Sequence, residues 1–283
     1  MNTRITKFRK DRLGQKKPIV SVIILLLFIV ASIAASVIAP YSPEMMDSSS
    51  VNMAPSMEHI LGTDTLGRDL FTLVLYGGRA SLYIGFLSGM ISTVIAVMYG
   101  CISGLAPRII DDLMMRFVDM MLSIPSILLI IFLQAIWGNA TCTSISVVIG
   151  ITTWMNISKI IRSEVRQIRN SDYILAARTM GAGFLYTMWH HLLPNFISSV
   201  MFMVVTNIGH AMITESTLSF LGLGLPLTTV SWGSLLSMSQ DALLGNCWWI
   251  IVIPGTVLVV TLVAITEIGE YIRKKNNRLY SNL

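Results

Sequence analysis

At 283 residues, with 54% hydrophobic and only 12% charged side chains and a mean hydropathy of +0.71, the chain is too apolar for a soluble enzyme. Its net charge of +5 belongs to membrane topology and the lipid surface, and no nucleic-acid partner is expected.

Residues 1–17 form a basic tail with seven Lys or Arg. Five charge-free windows follow: Pro18 to Ala39, Ala80 to Pro107, Met120 to Ser158, Thr179 to Thr214 and Ala242 to Thr266. Each can supply the roughly 20 residues that cross a hydrocarbon core. The first, residues 18–39, follows a basic stretch and contains Ala-Ser-Ile-Ala-Ala, as a signal peptide would. Its apolar core is too long for that role, so an uncleaved anchor is expected. Residues 40–79 read as an outer loop. The Met120 to Ser158 window is too long for one crossing, and Gly138-Asn139 near its middle reads as a turn. Six spans result, at roughly 19–39, 82–105, 115–136, 142–161, 196–221 and 246–267. Residues 80–272 form a five-helix core with an inner loop at 163–195, and 273–283 a second tail.

Placing every Lys and Arg on alternating sides tests this count. With the N-terminus inside, eighteen lie inside and only Arg68 and Arg79 outside, an asymmetry that a missing or extra span would scramble. Both termini are therefore expected in the cytoplasm.

The second span carries Ser81, Gly85, Gly89, Ser92, Ala96, Gly100 and Gly104 at helical spacing. Such a ridge lets another helix approach closely, either within the subunit or from a second one. Arg162, Arg166 and Arg169 share one face of a helix leaving the membrane and read as snorkelling anchors. Cys142 and Cys247 fall near the outer ends of two spans, where a disulfide is conceivable.

On the fifth span Met203, Thr206, Asn207, His210, Thr214 and Thr217 fall within about 60° of His210, while Glu215 lies about 140° away. A polar stripe inside a membrane faces protein or a water-filled cavity. Asn207, His210, Thr214 and Glu215 are thus candidates for lining a path. Glu215 reads equally as a helix-end group reaching the outer interface, and His210 as an inter-helix hydrogen-bonding group or a lone nickel contact. The eighteen methionines are scattered, as adaptable packing would be, and His190-His191 diverge on a helix and do not chelate together.

Between the fourth and fifth spans a short helix through Ala176-Ala177, a turn at Gly181 and a segment ending Leu192-Leu193-Pro194 face water. The pattern Ala-Ala-x3-Gly followed by Leu-Pro resembles the loop by which inner-membrane permeases of ATP-binding-cassette importers dock on their ATPase. The family's leading Glu is Leu175 here, so docking would rest on shape and apolar contact. Leu61 to Asp69, Tyr76 to Leu82, Met115 to Asp119 with Ile124-Pro-Ser126, Leu218 to Gly224 and Ser231-Trp-Gly233 occur in family order. Together they are similar to the C-type permease of dipeptide, oligopeptide and nickel importers. The tail after Thr266-Glu-Ile-Gly-Glu270 matches poorly.

The resemblance implies an all-α polytopic protein of the type I importer permease fold with six transmembrane helices. It implies a related second permease, two ATPases, an external solute-binding protein and no cofactor or metal of its own. Ala176, Ala177, Gly181, Ala182, Leu193 and Pro194 would couple to the ATPase. Gly62, Asp64, Gly67, Arg68 and Asp69 form an outer pair of turns that either braces the fold or meets the binding protein. The chain has no Gly-x4-Gly-Lys-Ser/Thr loop, so hydrolysis is expected in the partner. No motif of an intramembrane protease is present, and the ordered motifs disfavour a self-sufficient channel or carrier. Asn207-Ile-Gly-His-Ala-Met212, Leu175-Ala-Ala and Gly181-Ala-Gly183 lean toward nickel or a nickel chelate as cargo, with peptide the alternative.

Overall fold

The computed structural model describes residues 17–226, 228–238, 242 and 245–280. Among them the chain is helical apart from turns and one isolated bridge between Thr63 and Asp69. Of the basic N-terminal tail only Lys17 is described, and residues 281–283 also lie outside the described residues.

The elements are α1 (Ile19–Ile33), a single turn α2 (Ala35–Ile38), α3 (Leu70–Leu105), α4 (Arg108–Leu122), α5 (Ser126–Trp137) and α6 (Cys142–Ile168). The inner module contributes α7 (Asp172–Thr179), α8 (Phe184–Thr187) and a π-helical segment, Met188–Leu192, that runs into α9 (Leu193–Phe220). Short α10 (Trp232–Ser237) and long α11 (Trp248–Tyr280) complete the chain. Every expected span falls on a helix. Among the described residues three helices, α3, α6 and α11 as far as Lys274, are long and apolar enough to cross a membrane, and the bent pair α4–α5, taken as one span, makes a fourth.

Several boundaries differ from expectation. α3 begins at Leu70 rather than near 82, because Asp69 caps it, its carboxylate accepting from Thr72 N at 2.8 Å. The Gly77-Gly78 pair therefore lies within the helix and ends no loop. A Cβ on Gly77 would meet the backbone of Ser231 at 3.1 Å, and one on Gly78 the Trp232 ring at 3.0 Å. The third span is two helices bent by 86°. Pro125 supplies the break, since its ring disfavours helical geometry at Ile124. α11 continues well past 267 and tolerates Pro254 in its interior.

α3, α6, α9 and α11 form the centre, with α1 against α3 and α11 and α5 against α6. The small-residue ridge of α3 is what allows this. A Cβ on Gly85 would stand 2.7 Å from Met212, on Gly89 2.8 Å from Ile208, on Gly100 2.8 Å from the Ser158 carbonyl, and on Gly104 2.7 Å from Val165. The ridge is consumed by α6 and α9 of the same chain. Gly100→Ala, which pushes a methyl onto backbone, should cost about 1–3 kcal/mol. A thermal-unfolding series in detergent checks it, with Gly183→Ala, whose Cβ meets nothing within 4 Å, as the silent comparison.

Cys142 and Cys247 are both free, so the conceivable disulfide is not formed. Arg79, one of the two outer cations, donates to the carbonyls of Ser32 at 2.7 Å and Ile33 at 2.9 Å. It thereby supplies partners to the exposed end of α1.

Candidate translocation and coupling sites

The outer motif is buried. Asp64, Arg68 and Asp69 are all nearly inaccessible. Asp64 accepts from Leu66 N and Arg68 N through Oδ1 and from Arg68 Nε through Oδ2, each at 2.8 Å, and Arg68 Nη2 completes the ion pair at 2.8 Å. Gly62 and Gly67 have φ of +79° and +72°, values that side chains resist. Trp249 at the start of α11 donates from Nε1 to Thr63 O at 3.1 Å, and Arg68 Nη2 lies 3.2 Å from Met238 Sδ. These contacts make the motif a brace between the outer loop and α11. Beside it Asp47 caps a 3-10 turn, and the Ser49 hydroxyl, then that of Ser50, hold its carboxyl below the usual carboxylate range.

Glu215 points into the protein rather than onto the face of His210. Its Oε1 accepts from Ser231 Oγ at 2.6 Å and Ser219 Oγ at 2.8 Å, tying α9 to the N-cap of α10. It neither lines the concavity beside His210 nor reaches an interface. Trp232, one residue on, donates from its backbone N to Ser81 Oγ at 3.0 Å and from Nε1 to Val74 O at 2.9 Å. α10 is thus pinned to both α3 and α9.

Asn207 and His210 do line one concavity of about 410 Å³, set between the α4–α5 break, α6 and α9. Thr214 stands behind it: its hydroxyl donates to His210 O at 2.9 Å and its Oγ1 lies 3.1 Å from His210 Nδ1. Asn156 and Thr153 of α6 complete the polar wall. Asn156, a lone amide in the middle of an apolar span, is the signal that sequence reading passed over.

At the other end Asp111 of α4 is buried, and two of the three arginines read as snorkelling anchors, Arg162 and Arg166, converge on it. Arg162 Nη2 donates at 2.6 Å, Arg166 Nη1 lies at 3.1 Å and Ser103 Oγ donates at 2.5 Å. Arg169 Nη1 donates to Gly104 O at 3.1 Å. Lys159 pairs with Asp119 nearby.

This cluster leads into the water-facing module. α7 ends where Met180 N and Ala182 N donate to Ala176 O and Ala177 O, each at 3.0 Å, around Gly181 at φ +89°. Among the expected coupling residues Ala176, Gly181 and Pro194 are exposed and Ala182 and Leu193 half-buried. Ala177 differs: with Ile174 it packs inward and is 5% exposed. Around Gly181 a cavity of about 480 Å³ opens between Tyr173, Met180 and Tyr186. Leu175, Leu185 and Trp189 present apolar surface outside it, and Met180 on its rim is 82% exposed. If it faces water, an exposed apolar patch of this kind marks an interaction surface.

A helical chain with helices long and apolar enough to cross a membrane, an exposed apolar patch beside Gly181 and an uncharged wall beside its central helices has the parts of a transport permease. The family described as "Binding-protein-dependent transport system inner membrane component" matches residues 96–273, and the chain belongs to it. It is a permease subunit of an ATP-binding-cassette importer, of C type and of the type I fold; ATP hydrolysis lies in separate ATPase subunits. The chain is 33% identical over 260 residues to the dipeptide transport system permease protein DppC of Bacillus subtilis (strain 168), covering 92% of this chain and 81% of that protein. It is 32% identical over 267 residues to the oligopeptide transport system permease protein OppC of the same organism, covering 94% and 86%. A putative peptide permease protein of Brucella suis biovar 1 (strain 1330) is 36% identical over 235 residues, covering 83% and 78%.

Proposed function

We propose that this chain forms half of the path of a peptide importer, pairing with a related second permease and two ATPases and receiving cargo from an external binding protein. One observation carries the cargo assignment: relatives named as dipeptide and oligopeptide permeases align over 92% and 94% of the chain. The sequence lean toward nickel has no counterpart in those names, and peptide replaces it. Coupling would run through Ala176, Gly181, Ala182, Leu193 and Pro194, with Ala177 supporting α7 from within.

The complete importer in proteoliposomes should take up labelled dipeptide only when ATP is inside with the ATPases and the loaded binding protein is outside. Nickel uptake without peptide uptake would overturn the cargo assignment. The Lys and Arg distribution supports a topology with both termini in the cytoplasm. Cysteines introduced at Ser50 and at Leu185 test this. In intact cells an impermeant maleimide should reach the first and not the second, and labelling at 185 would invert the map.

A further inference from the structure

The concavity between the α4–α5 break, α6 and α9 shows an order in its polar groups that the path assignment does not require. None of the residues lining it is Asp, Glu, Lys or Arg. The Thr153 hydroxyl donates to Ile149 O at 2.9 Å and that of Thr206 to Phe202 O at 3.1 Å. Their hydrogens are spent on the helix, so toward the concavity both oxygens offer lone pairs. The Thr214 Oγ1 lies 2.9 Å from His210 O and 3.1 Å from His210 Nδ1, so with its hydrogen on His210 O it accepts from Nδ1–H. In that tautomer Nε2 is left as an acceptor. Donors come from carboxamides. Asn207, only 7% exposed, has Nδ2 without a partner among the described residues, and Asn156 stands on the facing helix.

A buried amide hydrogen without a partner forfeits its solvation, so Asn207 gains when an acceptor arrives. Neutral donors beside neutral acceptors, with apolar groups such as Pro125 between them, match a chain of amide N–H and C=O groups. They give no preference among side-chain charges. We propose that this concavity is a substrate-holding site of the permease, and that it binds the peptide backbone through Asn156, Asn207, Thr153, Thr206 and His210 without regard to side-chain charge. The proposal rests on the peptide-importer reading.

The test uses the complete importer in proteoliposomes with its binding protein, and the uptake of Ala-Lys divided by that of Ala-Glu. The shared binding protein contributes equally to every variant, so changes in the ratio belong to the permease. Asn207→Asp and, separately, Asn156→Asp should each raise the ratio about tenfold over the unaltered importer. Asn156→Leu should slow both peptides by the same factor and leave the ratio unchanged. A ratio unmoved by either Asp variant while uptake persists would overturn the site alone. No uptake of either peptide by the unaltered importer would overturn the site and the peptide reading together.

Discussion

Replacing Asp64 by alanine should strip most of the folded permease from the membrane. The substitution leaves the Arg68 guanidinium, whose side chain is 4% exposed, without its carboxylate and leaves two backbone donors, Leu66 N and Arg68 N, unanswered. Breaking one partner of a buried pair costs about 3–5 kcal/mol, because the surviving charge stays buried. Fluorescence-detected gel filtration and thermal unfolding would read the loss. Asp64→Asn, which keeps an acceptor oxygen, should fall between, and pairing Asp64→Ala with Arg68→Met should restore part of the stability. A fully stable Asp64→Ala permease that no longer engages the binding protein would return the motif to surface recognition.

Gly181→Leu should leave the permease in the membrane and abolish ATP-driven uptake. No atom of this chain lies within 4 Å of the position a Cβ would take at Gly181. The fold therefore has room for the side chain, and the local cost is the left-handed backbone, about 1–2 kcal/mol. Such a cost is paid within an exposed turn and does not unfold the helices. An isobutyl group here would nonetheless project from the patch offered to the ATPase, and the helix end would rewind. The readouts are membrane level, ATPase activity and peptide uptake measured together. Normal uptake by Gly181→Leu would dismiss the module as the docking element.

Much of this was legible in local chemistry. Apolar windows located the helices because a membrane demands about 20 such residues per crossing. Gly62, Gly67 and Gly181 were readable as bends because their backbones do adopt positive φ. Helical spacing put Glu215 off the face of His210. What could not be read was pairing across the chain. Arg162 and Asp111 lie 51 residues apart, Trp249 and Thr63 186 apart, and no spacing rule connects them. Burial of the outer motif was hidden for the same reason, since charge and turn residues look alike in a surface loop and in a brace. The outer loop read at 40–79 gave way to helix from Leu70 because the Asp69 cap and the packing of Gly77 and Gly78 against α10 leave no signal in local composition.

The two ends of this subunit are held unequally. At the outer end Trp249 is fastened to the Leu61–Asp69 turn, Asp69 to the start of α3, Trp232 to α3 and Glu215 to Ser231. A push on any of these elements is shared by all of them. At the inner end the charged cross-ties around Asp111 join α3, α4 and α6, while α9 leaves through a π-helical turn. The outer ties link the ends of α3, α9 and α11 to one another, so a pull applied at the Gly181 module would reach all three through α9.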